Sequence, residues 1–117
     1  MAGRDPVLIF AVSTRRCGAS TEEAGFYAGA EVAAVELYRR LGVCALAGVR
    51  RDGRGLVLGL DLPSLDAATA LVAELPTVLG GVARYRLTPC APLADWREYL
   101  GRTPGRRAGR GEPRDPL

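Results

Sequence analysis

The chain contains no histidine, no lysine, no asparagine and no glutamine. Every basic side chain is therefore an arginine, and no side-chain amide exists. Without imidazole, the Ser-His-Asp and Cys-His nucleophilic arrangements are excluded, together with imidazole-ligated haem and the common zinc and non-haem iron ligand sets. Without lysine, a Schiff base with a carbonyl substrate is excluded as well. Any chemistry falls to Asp, Glu, Tyr, Ser, Thr, Cys, Arg or the backbone, and the expectation is a protein that uses neither a metal nor another cofactor.

Other absences narrow the class. No run approaches the roughly 20 apolar residues that a membrane span requires. The opening Met1-Ala2-Gly3-Arg4-Asp5-Pro6 lacks the charged and apolar regions of a secretory signal, so a cytoplasmic location is expected. The three cysteines, Cys17, Cys44 and Cys90, are odd in number and far apart, unlike a disulfide framework or a zinc site. They are expected to be free, buried thiols.

The net charge is +3, and its location matters more than its size. Residues 101–117 hold five Arg against one Glu and one Asp, whereas residues 1–100 hold 11 Arg and 11 acidic residues, which cancel. No basic face is expected on the folded body, which argues against nucleic acid as a partner. The tail GRTPGRRAGRGEPRDPL has almost nothing to bury and is expected to be disordered. Residues 1–100, by length, make one domain.

Along the chain, Val7 to Thr14 reads VLIFAVST, a β-rich run apolar at odd and even positions alike, which predicts a strand covered on both faces. Ser20 followed by Glu23 forms a capping box for a helix running to Leu41, with Tyr27, Ala30, Ala34, Leu37 and Leu41 as its inward stripe and Gly42 ending it. Val43–Arg50 and Gly55–Asp61 are short apolar runs joined through Asp52-Gly53, a hairpin signal. Ser64 caps a second helix that Pro76 stops, and Gly80-Gly81 turns into a last strand from Val82 to Thr88. There Arg84 and Arg86 alternate with Ala83, Tyr85 and Leu87, as in a one-sided or edge strand.

The order βαββαβ, with right-handed crossovers, predicts an α+β fold of ferredoxin-like type: a four-stranded antiparallel sheet with two helices on one face. The other face of an apolar sheet would then lie open. A homodimer closed by a two-fold axis through the sheet face is the expected remedy.

From Gly42 through the hairpin to Asp61-Leu62, then Glu74-Leu75-Pro76 at the end of the second helix and Leu87-Thr88-Pro89 at the end of the last strand, the punctuation resembles that of muconolactone isomerase and its relatives in the dimeric α+β barrel superfamily. The resemblance spans residues 7 to 92. It implies a dimeric α+β barrel, a pocket between helices and sheet, and isomerisation by proton transfer with no cofactor.

In this chain the segment after Gly42 reads Val43-Cys44-Ala45-Leu46-Ala47-Gly48-Val49, an apolar wall suited to a greasy ligand. The expected function is a cofactor-independent cyclase or isomerase acting on a hydrophobic small molecule, a polyketide-type intermediate of natural-product biosynthesis. Such a site works by holding a flexible chain in a reactive shape while well-placed groups shift a proton. Tyr27 and Glu31, one helical turn apart, are the expected catalytic pair, the phenol as hydrogen-bond donor and the carboxylate as proton acceptor. Ser13, Phe10, Leu46, Tyr38, Arg84 and Trp96 are expected to contact the substrate. Three other classes stay open: a cofactor-free monooxygenase of an aromatic polyketide, a lactone isomerase of the muconolactone type, and a non-catalytic ligand-binding subunit.

Overall fold

The computed structural model describes residues 7–100. The expectations for the opening residues and for the tail 101–117 lie outside them. The elements run β1 (Val7–Arg15), α1 (Thr21–Arg40), β2 (Cys44–Val49), β3 (Leu56–Leu62), α2 (Leu65–Ala73), α3 (Pro76–Leu79), β4 (Ala83–Cys90), a 3-10 turn (Leu93–Asp95) and α4 (Trp96–Leu100). The four strands form one antiparallel sheet in the order β2-β3-β1-β4, the ferredoxin-like arrangement expected from the sequence.

Local signals set the boundaries. At the start of α1 the Ser20 hydroxyl accepts from the Glu23 N–H at 2.9 Å while the Glu23 carboxylate accepts from the Ser20 N–H, so two of the helix's orphan donors are satisfied. At the other end Gly42 takes φ +83°, and the N–H groups of Gly42 and Val43 bond back to Arg39 and Tyr38, a left-handed stop that glycine adopts without steric cost. Ser64 caps α2 by accepting from Ala67 N–H at 3.1 Å. Pro76 does more than stop that helix. It sits at the first position of α3, where its missing N–H is not needed, and so opens a further turn.

The sheet has two unlike faces. Ile9 and Ala11 of β1 pair with Leu60 and Leu58 of β3, and all four are fully buried with Val35 of α1 and Ala68 and Val72 of α2. Both main helices therefore cover this side. The even-numbered positions of β1 point the other way, where Leu8, Phe10 and Val12 share the surface with Leu46 and Val57 and no helix covers them.

The inward face of α1 matches the predicted stripe only at Tyr27 and Ala34, which are half-buried. Glu31 and Val35 are buried, with Ala24 and Tyr38 partly so, whereas Ala30 is exposed, Leu37 is 45% exposed and Leu41 66% exposed. The apolar size of Leu37 and Leu41 drew the prediction one position away from the face that the sheet covers. Two thiols also depart from expectation: all three cysteines are free and Cys44 is buried, but Cys17 is exposed and Cys90 half-buried.

No helix of the described residues is long and apolar enough to cross a membrane.

Candidate active site

Toward the Ser13 end of β1 the space between α1 and the sheet is not filled. Six residues of α1 face it, and in the stretch from Ala24 to Ala28 these are Ala24, Gly25 and Ala28, whose side chains are too short to fill the space. What remains is a cavity of about 360 Å³, walled by α1, by Val49 and Leu56 of the β2–β3 hairpin, and by the start of β4. Its lining is mostly apolar, which suits an apolar ligand fixed by a few polar groups.

Those polar groups come together at one place. Glu31 is 4% exposed, and its carboxylate accepts three hydrogen bonds: from Thr77 N–H at 2.9 Å, from Thr77 Oγ1 at 2.8 Å and from the Tyr85 hydroxyl at 2.6 Å. Tyr85 stands beside Ser13 in the β1–β4 register, and Ser13 is also 4% exposed. All four residues line the cavity. A carboxylate offers about four acceptor sites, so one on Glu31 remains unused.

The chain assembles this cluster from four elements. α1 supplies Glu31 one turn before Val35, which anchors the helix in the core. The short helix opened by Pro76 brings Thr77 within reach. Alternation along β4 turns Tyr85 inward and leaves Arg84 and Arg86 outside. The hairpin backbone comes close at Gly55, where a Cβ would stand 2.6 Å from Ser13 Oγ, so that position tolerates only glycine. Arg50 adds a clamp by donating to Ser13 O at 2.7 Å and to Asp52 at 2.6 Å.

Electrostatics follow from burial. No ion pair among the described residues includes Glu31, although an unpaired buried charge costs several kcal/mol even after relaxation. Burial raises the Tyr85 pKa far above its ordinary value near 10, and the hydrogen bond to Glu31 and that residue's negative charge push it the same way, against a smaller opposing effect of Ser13. Tyr85 is thus a neutral donor at any physiological pH. Tyr38 is raised too, first by burial and then by Glu74 and Glu31.

The expected site residues divide into three groups. Glu31 and Ser13 are in the cavity. Tyr27 is not: its ring packs on the bare backbone of Gly80, where a Cβ would collide with it, and edge-on to Phe26 at 5.0 Å. Tyr85 is the phenol that Glu31 holds. Phe10 and Leu46 lie on the opposite face of the sheet, with Leu46 folded over Gly59. Tyr38 packs against the filled core, and Trp96, 45% exposed with the Arg97 guanidinium 4.6 Å from its ring centre, does not wall the cavity. Arg84 lies outside this cavity and lines a second one beside it. Thr77 and Tyr85 are functional candidates that sequence reasoning passed over.

Comparisons with protein-family models, with curated proteins and with solved structures find no match. Among the described residues no group of three or more Cys, Asp or Glu is placed to hold a metal ion. The chemistry available to the cavity is that of one carboxylate, one neutral phenol, the hydroxyls of Ser13, Thr21 and Thr77, and the guanidinium groups of Arg15 and Arg54 at its wall.

Proposed function

We propose that this protein is a cofactor-independent isomerase or cyclase of a hydrophobic small molecule, of polyketide type, and that Glu31 is its proton-transfer group. The supporting observation is the buried carboxyl group, without a cationic partner among the described residues, fixed by three donors, with an acceptor site to spare, in a cavity walled mostly by apolar surface. A buried carboxylate in a cleft, held by fixed donors, is placed as an acid–base group requires.

In this reading a carbonyl compound enters the cavity and Glu31 removes a proton from the carbon beside the carbonyl. The C–H electron pair moves into the conjugated system. Glu31 then returns the proton at another carbon, which completes an isomerisation. If the electron pair instead attacks a second carbonyl of a folded chain, a ring closes and the proton goes to the new alkoxide. Thr77 and Tyr85 position the carboxylate throughout, the single phenolic proton of Tyr85 being donated to Glu31.

The reading includes a cytoplasmic homodimer of dimeric α+β barrel type, related in architecture to the muconolactone isomerases. Its support is the second sheet face, where Leu8, Phe10, Val12, Leu46 and Val57 form an apolar patch with Arg86 on one side and Asp61 on the other. A patch carrying both signs of charge around an apolar centre is fit to meet a copy of itself. Sedimentation equilibrium that returns a monomer removes this part of the proposal.

The catalytic part is tested with an apolar ketone, 2-decalone, in deuterated buffer, by following exchange of its α-protons by NMR. The protein is expected to accelerate exchange, and Glu31→Gln to remove about 10²- to 10⁴-fold of that acceleration. Exchange by Glu31→Gln at the wild-type rate would overturn the role of Glu31. Binding of the ketone without any acceleration would favour a non-catalytic ligand-binding subunit.

A further inference from the structure

A second cavity of about 390 Å³ adjoins the first and shares Arg15 and Ala83 with it as walls. Its character is the reverse of its neighbour's. Arg15, Arg16 and Arg84 line it, with Thr14 beside them, and no acidic residue does. The three guanidinium groups are not equivalent. Arg16 is committed, donating from Nε to Gly81 O at 2.6 Å and pairing with Glu23 at 3.2 Å. The side chains of Arg15 and Arg84 make no hydrogen bond or ion pair with any described residue.

The register explains why they meet. Arg84 lies opposite Thr14 and Ala83 opposite Arg15, so the end of β1 and the start of β4 bring two cations, without partners among the described residues, to the rim that separates the cavities. Arg54 adds a further positive group to the wall of the first cavity, while Glu31 sits at its buried polar cluster. Like charges gathered at a concave surface repel one another in the empty protein, and an anion placed among them removes that repulsion while gaining charge-assisted hydrogen bonds.

We propose that the two cavities together bind one amphipathic anion: its apolar body lies in the first cavity against Glu31, and its carboxylate or phosphate lies in the second, held by Arg15 and Arg84. This rests on the first cavity being the ligand site and extends it by naming the substrate class. Planar guanidinium forks suit both oxyanions. An anionic end fixed there sets how deep the chain reaches, and thereby which carbon is offered to Glu31.

The test uses three probes of equal chain length below their micelle concentrations, 1-decanol, decanoate and decyl phosphate, titrated calorimetrically into the full chain. Two added charge-assisted bonds correspond to an affinity gain of at least about tenfold for the anions over the alcohol. In Arg15→Gln/Arg84→Gln the gain of the anions over decanol is expected to shrink to about twofold or less, with a wild-type circular dichroism spectrum as the check on folding. Ala28→Trp, which fills the first cavity, is expected to abolish binding of all three.

Equal affinity of the three probes for the wild type would overturn the proposal. So would an anion preference that survives the double substitution, or anion binding undiminished in Ala28→Trp. A decyl phosphate preference over decanoate, lost with the two arginines, assigns a phosphate; the reverse order assigns a carboxylate. Glu31→Gln is expected to leave the anion preference intact, so failure of the proton-transfer role and failure of the anion site give different results.

Discussion

The layer between sheet and helices holds two regions built on opposite principles. Around Ile9 and Leu60 large apolar side chains from both helices and three strands meet with nothing left open: Ile9, Leu58, Leu60 and Leu75 are fully buried. A short distance along the same strand, around Ser13, the helix offers the small Ala24, Gly25 and Ala28 between Thr21 and Val32, and the gap contains the polar cluster of Glu31, Thr77 and Tyr85. One strand thus serves a filled core with its first half and a hollow with its second. Apolar volume in the first region supports the fold, and its absence in the second makes room for a ligand.

The sharpest way to break this contrast is to change volume in each region. Leu60→Ala removes a buried side chain from the filled region and is expected to destabilise by about 2–5 kcal/mol, transfer loss and cavity combined. Ala28→Leu adds volume where space already exists, so it is expected to change stability by less than about 1 kcal/mol, with loss of ketone binding. Urea unfolding of both variants checks the pair. Equal destabilisation would mean that the cavity is not open in solution.

Next in size is Gly55→Ala. The glycine has φ +148°, and a Cβ there would lie 2.6 Å from Ser13 Oγ, 2.7 Å from Ser13 Cβ and 3.2 Å from Ser13 O. The Ser13 side chain is buried against Tyr85 and its backbone is tied to Arg50, so neither moves away freely. A cost of about 1–3 kcal/mol is expected, with a matching loss of proton exchange, because overpacking and an unfavourable φ act together. Wild-type stability and exchange in this variant would show that the hairpin gives way and that the polar cluster is not held as tightly as the contacts indicate.

Much of the first region was legible in the sequence, and the reason is locality. Ser20 with Glu23, Gly42, Asp52-Gly53 and Ser64 each act on a neighbour within a few positions, and each does in the structure what its chemistry indicates. The second region was legible only in part. Glu31 and Ser13 stand out as polar residues amid apolar runs, but the partner of Glu31 lies 54 positions away and is chosen by strand register rather than by helical spacing.

Tyr27 is the helical neighbour by arithmetic, yet its ring is taken up by Gly80. The alternation of Ala83, Tyr85 and Leu87 already marked Tyr85 as the one polar member of an inward row. Parity also separates Phe10 from Ser13: in the middle of the sheet an even and an odd position of one strand face opposite sides, and only Ser13 faces the helices. Leu46 is harder to place, because β2 and β3 change register between Cys44 and Leu46 and carry it to the other face.

The smallest expected effect appears only in alkali and probes the polar cluster alone. Tyr85 has a folded-state pKa raised above the ordinary value near 10, by burial first and by Glu31 second. Below about pH 10 folded and unfolded chains both carry the phenolic proton, so the contribution to stability is fully present there. As pH rises further the unfolded chain releases the proton while the folded chain keeps it, and stability falls. Tyr85→Phe removes this contribution, so its stability is expected to decline less steeply above about pH 10 than that of the wild type. The decline shared by both chains includes the raised Tyr38 and Cys44, which cancel in the comparison. Urea midpoints measured in parallel, with phenolate absorbance as a second readout, check it. Identical slopes for the two chains would mean that the Tyr85 hydroxyl is open to water, and with it the carboxylate that the proposed chemistry requires to be dry.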